Sequence, residues 1–133
     1  MRILLDTHVL VWSQDAPEKL GPGARDALAD QANGLVVSPV SSLEIARLVW
    51  GGRLSLRGRL QTWVETALGA LLAETIPLSH DIAVAAYELP AEFHRDPVDR
   101  ILVATARVHD LTLATADERI LAYPHVLSLN ALA

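Results

Sequence analysis

An α/β fold, with a short, mainly parallel central sheet and helices on both faces, is predicted by three features of this 133-residue sequence. Short unbroken apolar runs alternate with segments of helical apolar spacing, and a strand without a polar face is one buried on both sides. Turn-forming residues separate them, at Pro17, Gly21-Pro22-Gly23, Asn33-Gly34 and Gly51-Gly52. No internal repeat, low-complexity tract or linker divides the chain, so residues 1–133 are expected to form one domain.

Taken in order, Arg2 to Leu5 is an apolar run that ends at Asp6, and Thr7 to Trp12 reads as a helix opening at the end of that strand. Ala24 to Ala32 has helical composition and stops at Asn33-Gly34. Leu35 to Val37 is a short buried strand, and Ser38-Pro39 starts a helix reaching about Val49, because proline is tolerated in a first helical turn. A polar hairpin of helices is expected next. Its second arm, Leu60 to Ala73, places Leu60, Trp63, Val64, Ala67, Leu68, Leu71 and Leu72 at three-four spacing along one face. Thr75 to Leu78 is expected as a strand, Asp81 to Tyr87 and Pro97 to His109 as helices, and Thr112 to Ala114 as a strand. Glu118 to Ala122 closes the series as a short helix, with Val126 to Leu129 as the last strand.

Apolar residues make up 51% of the chain, enough for a core, but the longest nearly apolar stretch, Ala67 to Ala73, is far short of the roughly 20 residues needed to cross a bilayer. Asp6 interrupts the N-terminus where a signal peptide would continue its apolar region, so a cytoplasmic protein without membrane contact is expected. The chain has no cysteine, which excludes disulfides, thiolate catalysis and cysteine-ligated zinc or iron. A bound metal must therefore sit on oxygen or imidazole.

The formal net charge of −5 argues against a nucleic-acid binder that works through a broad basic face. The cations are unevenly spread, however, with Arg47, Arg53, Arg57 and Arg59 in one short stretch. An acidic total can hide a basic patch.

Ligands of open parallel sheets bind beyond the carboxyl ends of the strands, where helices begin. Acids stand at several such boundaries. Asp6 closes the first strand, Glu44 lies in the helix after the second, Asp96 and Asp99 flank Pro97, and Asp117 follows Leu113-Ala114-Thr115. Capping is the competing reading, since Asp is an ordinary residue for satisfying free amides at helix starts. It applies to Asp6, to Asp117 and to Asp96-Pro97, while Ser41-Ser42-Leu43-Glu44 matches a capping box. Asp99 falls inside a helical turn with no cap to make, which favours a functional role. Carboxylates gathered in one pocket repel one another and need a cation or protons. Magnesium or manganese (Mg2+ or Mn2+) is the natural partner, and such a site suits phosphodiester hydrolysis.

Four segments resemble the PIN domain, particularly the VapC-type toxins of bacterial toxin–antitoxin pairs. They are Ile3-Leu4-Leu5-Asp6-Thr7-His8-Val9-Leu10-Val11-Trp12, Ser41-Ser42-Leu43-Glu44-Ile45-Ala46, the stretch His94 to Ala106 containing Asp96-Pro97-Val98-Asp99-Arg100, and Leu113-Ala114-Thr115-Ala116-Asp117. Each is weak alone, and four in this order and spacing are specific; together they span essentially the whole chain. The resemblance implies a metal-dependent ribonuclease with Asp6, Glu44, Asp99 and Asp117 as its catalytic acids. Of these, Asp6, Asp99 and Asp117 would ligate the metal, with Asp99 the principal ligand. Thr7 and Thr115 match hydroxyl positions beside them, and Asp96 is an extra acid that either joins the site or caps its helix. The resemblance further implies an RNA substrate, a homodimer and inhibition by a small antitoxin whose C-terminal segment places an Arg or similar group in the site.

Arg47, Arg95 and Arg100, with Arg53, Arg57 and Arg59, are candidates for phosphate contact, against the ordinary reading as solvated surface charge. His8 and His94 adjoin the motif acids but are left out of the metal set, because hard cations prefer oxygen. Trp12, Trp50 and Trp63 are expected in the core or a dimer interface rather than stacked on bases. A magnesium-binding receiver-like signalling module would need a lysine near a late strand, and the only lysine is Lys19. A haloacid-dehalogenase-type phosphatase would need Asp where His8 stands. A PIN fold acting only as a binding partner is the remaining alternative.

Overall fold

The computed structural model describes all 133 residues. Five parallel strands form one sheet: β1 (Arg2–Leu5), β2 (Gly34–Val37), β3 (Glu74–Thr75), β4 (Thr112–Thr115) and β5 (Ser128–Asn130). The seven helices are α1 (Thr7–Asp15), α2 (Pro22–Ala29), α3 (Pro39–Trp50), α4 (Leu60–Leu71), α5 (His80–Ala85), α6 (Pro97–His109) and α7 (Glu118–Leu121). No helix is long and apolar enough to cross a membrane.

The strand order is β3-β2-β1-β4-β5, so the chain runs outward from β1 in one direction, then returns to pair β4 with the other edge of β1. That reversal leaves a crevice between β1 and β4 at their carboxyl ends, the usual ligand position in open parallel sheets. Alternation along the strands splits the core in two. Ile3, Leu5, Leu35, Val37 and Ala114 face a cluster that includes Leu10, Ile45, Trp63 and Ala67. Leu4, Val36 and Leu113 face the other, with Ile82, Leu102, Val103 and Ile120. The sheet is thus covered on both faces, as the continuous apolar strands require.

Helix ends follow local chemistry. Ser38 caps α3 by accepting the Val40 N–H, and Asp96 caps α6 by accepting the amides of Val98 and Asp99. Pro97 occupies the first turn of α6, and Arg107 and His109 oppose the dipole at its other end. Some boundaries differ from those read in the sequence. The expected strand over 75–78 shrinks to Glu74–Thr75, because β3 is an edge strand that pairs only with Val36 and Val37. The last strand begins at Ser128 rather than Val126, where its register with Leu113 starts. The segment 51–59 is turns rather than helix, so the helical hairpin consists of α3 and α4 alone.

Of the core or dimer-interface placement expected for the tryptophans, the core half fails at Trp50. Trp63 is buried and its indole N–H reaches the Asp15 carboxylate, and Trp12 is half-buried, but Trp50 is 89% exposed at the last residue of α3. It follows the inward-facing Ile45 by five residues, which carries it off that face.

Candidate active site

Asp6 lies between the last residue of β1 and the first of α1 and has extended φ/ψ, which aims its carboxylate into the crevice. One oxygen, Oδ1, accepts the Thr7 N–H at 2.6 Å; the other, Oδ2, accepts the Thr115 hydroxyl at 2.6 Å. Thr115 ends β4, and its Oγ1 in turn accepts the Asp117 N–H at 3.0 Å. A single hydroxyl thereby couples the ends of the two central strands. Thr7 is fully buried and its hydroxyl donates to Ser41 Oγ at 3.2 Å, tying α1 to α3 beside the pocket.

All four sequence-predicted acids line one pocket, which is bounded by Asp6, His8, Glu44, Asp96, Asp99, Ala116, Asp117 and Arg119. Asp99 projects into it from the first turn of α6 and is 8% exposed. Glu44 sits in the second turn of α3, not at the capping position that the Ser41-Ser42-Leu43-Glu44 pattern suggested. Ser38 already caps that helix ahead of Pro39, so the Glu44 carboxylate is free of that task and pairs loosely with Arg47, at 3.8 Å. Asp117 does cap α7, accepting the Arg119 and Ile120 amides, and Asp96 caps α6 while lining the pocket.

Charge in the pocket is unevenly compensated. Burial pushes the Asp99 carboxyl up to about 7, and the neighbouring charges of Asp6, Asp96, Asp117 and Glu44 push in the same direction. Burial also raises Asp6, against the hydrogen bonds from Thr115 and Thr7 that favour its charged form. At Asp117 burial acts upward too, but the Arg119 side chain and the two capping amides outweigh it and hold this carboxyl below its ordinary value.

Sequence reasoning set His94 aside and did not consider Arg119. His94 Nε2 is buried 3.0 Å from Asp99 Oδ2, but out of hydrogen-bonding alignment, so it has no partner. Burial lowers its basicity and keeps a lone pair available. His94, Asp99 and Asp117 each offer one donor atom, all within 4.8 Å of one another, a set that fits a divalent cation. The sequence signal was there, since His94 precedes Asp96-Pro97 by two residues; only its direction was missing. Arg119 carries no such signal beyond standing two residues after Asp117.

The other arginines separate. Arg100 donates to the carbonyls of Ala86, Phe93 and His94 and stacks on Tyr87, so it braces the segment before α6 and is not open to phosphate. Arg95 is exposed but lines a different depression, while Arg47, Arg53, Arg57 and Arg59 are exposed on and after α3.

Comparison with known proteins points in one direction. The family model described as PIN domain matches residues 3–126. The chain is 32% identical over 123 residues to ribonuclease VapC22 of Mycobacterium tuberculosis, covering 92% of each. Its fold is similar to a chain of VapBC2 from Rickettsia felis bound to a promoter DNA fragment, with TM-score 0.70, 19% identity and 98% of each chain covered. It is also similar to a chain of DNA-bound VapBC from Salmonella typhimurium, with TM-score 0.66, 17% identity and 98% of each covered.

Proposed function

The chain belongs to the PIN domain family, and from that premise we propose that it is a metal-dependent ribonuclease serving as the toxin of a toxin–antitoxin pair. The observation that supports this reading best is the convergence of Asp6, Glu44, Asp99 and Asp117 in one pocket at the carboxyl ends of β1 and β4. A pocket so acidic would repel RNA unless its charge were neutralised, which makes a divalent cation part of the reading.

Asp99 and Asp117 would supply oxygen donors to that cation, with Asp6 lining the same pocket; His94 would add a nitrogen donor, which tilts the choice from Mg2+ toward Mn2+. When bound, the metal supplies a Lewis acid and lowers the pKa of a water molecule. Thr115 fixes the Asp6 carboxylate, and Thr7 and Ser41 hold the start of α1 against α3. Glu44, which lines the pocket and has only a loose pair with Arg47, would orient the attacking water. Asp96 is in this reading a cap that adds negative charge without gripping the metal. Exposed Leu43 and Trp50 on α3 offer apolar surface for a small antitoxin or a second copy in a homodimer. The expected setting is the cytoplasm, where RNA and a cognate antitoxin meet.

The test is cleavage of total RNA by protein free of antitoxin, with Mn2+ or Mg2+, beside EDTA and beside the double variant Asp6→Asn, Asp99→Asn. Metal-dependent cutting that disappears in the folded variant is expected. A folded wild-type protein that cuts nothing with either metal would overturn the nuclease and leave a PIN fold that only binds.

A further inference from the structure

Among the residues lining the acid pocket, one side chain is a permanent cation: Arg119. Its Nη2 lies 3.0 Å from Asp117 Oδ2 and 4.0 Å from Asp99 Oδ2, and its Nε lies 3.3 Å from Asp117 Oδ1. These two carboxylates are both members of the three-residue group that could hold a metal. Arg119 therefore sits on the edges a cation would need.

Its surroundings allow it to leave. The Arg119 side chain is 61% exposed, whereas those of Asp99 and Asp117 are 11% and 24% exposed. The cap on α7 uses the Arg119 backbone N–H, not its guanidinium, so moving the side chain leaves the helix start intact. An exposed pair of this kind is weak and exchanges readily. A displaced guanidinium at the pocket rim presents a planar fork that matches phosphate oxygens.

We propose that Arg119 competes with the divalent cation for Asp117 and Asp99 and, once displaced, receives the substrate phosphate. Before metal binds, Arg119 relieves repulsion between acids that would otherwise face one another bare. Afterwards the same charge sits beside the metal, where the phosphodiester must dock. A negatively charged protein acquires in this way a local phosphate contact at the site itself. The inference rests on the metal-dependent nuclease reading above.

The two roles Arg119 could play predict opposite signs. If it competes with the metal, Arg119→Gln binds Mn2+ tighter than wild type, by about three- to tenfold as removal of one exposed charge implies. If it only steadies Asp117, the same substitution loosens a ligand and weakens binding. Free Mn2+ measured by electron paramagnetic resonance separates them without any turnover. In the same series, KM for a short RNA should rise by about tenfold in Arg119→Gln with kcat changed less, and the slope of log affinity against log salt should fall by about one. Arg119→Lys keeps the charge and should restore most of the RNA affinity. Mn2+ binding that is unchanged or weaker in folded Arg119→Gln overturns the competition, and an unchanged salt slope overturns the phosphate contact. Wild-type protein that binds no Mn2+ and cuts no RNA would instead overturn the nuclease reading along with this one.

Discussion

Asp6 and Asp117 both cap helices at the ends of neighbouring strands, yet the fold treats them oppositely. Asp6 belongs to an inner region that it shares with Asp99, both buried; Asp6 has no permanent cation against it and takes its hydrogen bonds from a hydroxyl and an amide, while Asp99 has Arg119 only at 4.0 Å. Asp117 belongs to a rim, more open, where Arg119 meets it directly. Burial raises the inner carboxyls, while pairing holds the rim acid low. Two acids of one residue type, each one residue ahead of a helix, thus carry different loads. The inner region holds the less compensated charge, and the rim acid is paired directly with Arg119.

The largest effect should come from removing an inner acid. Asp99→Asn should lower RNA cleavage by on the order of 10²–10³, in the range lost with one preorganised electrostatic group. Asp117→Asn, at the rim where Arg119 already offsets the charge, should cost less. Single-turnover rates on one RNA oligonucleotide compare them, and equal losses would abolish the distinction between inner and rim acids.

Stability should separate the regions by pH. The folded-state carboxyl of Asp99, at about 7, lies above its ordinary unfolded value near 3.9. The folded protein therefore holds a proton that the unfolded chain releases. The contribution is fully present below about pH 4 and is lost as pH rises through about 7. Metal-free protein should lose on the order of 4 kcal/mol between pH 4 and pH 8 from this group, or roughly 10–20 °C in Tm. Asp99→Asn should flatten that slope, and Mn2+ should raise Tm more at pH 8 than at pH 5. Asp117, held low, acts outside this window: its contribution is present above the unfolded value and is lost only as pH falls below it. Calorimetric melts of wild type and Asp99→Asn across this range, with and without Mn2+, check the assignment; parallel slopes would refute it.

The smallest effect belongs to Asp96, which lines the pocket yet spends its Oδ1 on the amides of Val98 and Asp99. Asp96→Ala should cost about 1 kcal/mol of stability in chemical denaturation. Asp96→Asn, which retains the cap, should leave cleavage within about threefold. A much larger loss of cleavage in Asp96→Asn would make Asp96 a member of the site and not only a cap.

Much of this was legible along the chain. The alternation of bare apolar strands with amphipathic helices specified a sheet covered on both faces, and the acids at Asp6, Glu44, Asp99 and Asp117 could be picked out by their positions relative to strand ends. Local patterns misled where they had a rival outside the window. Ser41 to Glu44 has the form of a capping box, but Ser38 and Pro39 start the helix earlier. Trp50 shares its composition with core tryptophans, but the rotation from Ile45 carries it outward.

The sequence by itself determined which residues could be acids of a site and that a parallel sheet would bring them to one end, because apolar period and capping chemistry are local properties. Only the tertiary structure decided that Arg119 meets Asp117 and Asp99, that His94 Nε2 is buried without a partner, and that Arg100 is occupied by carbonyls. It alone also set which carboxyls are raised and which lowered. Asp6 and Thr115 are 109 residues apart in the chain and share a hydrogen bond. A proton's affinity for a carboxylate depends on burial and on every charge within a few ångströms, and those neighbours are assembled only when the strands pair.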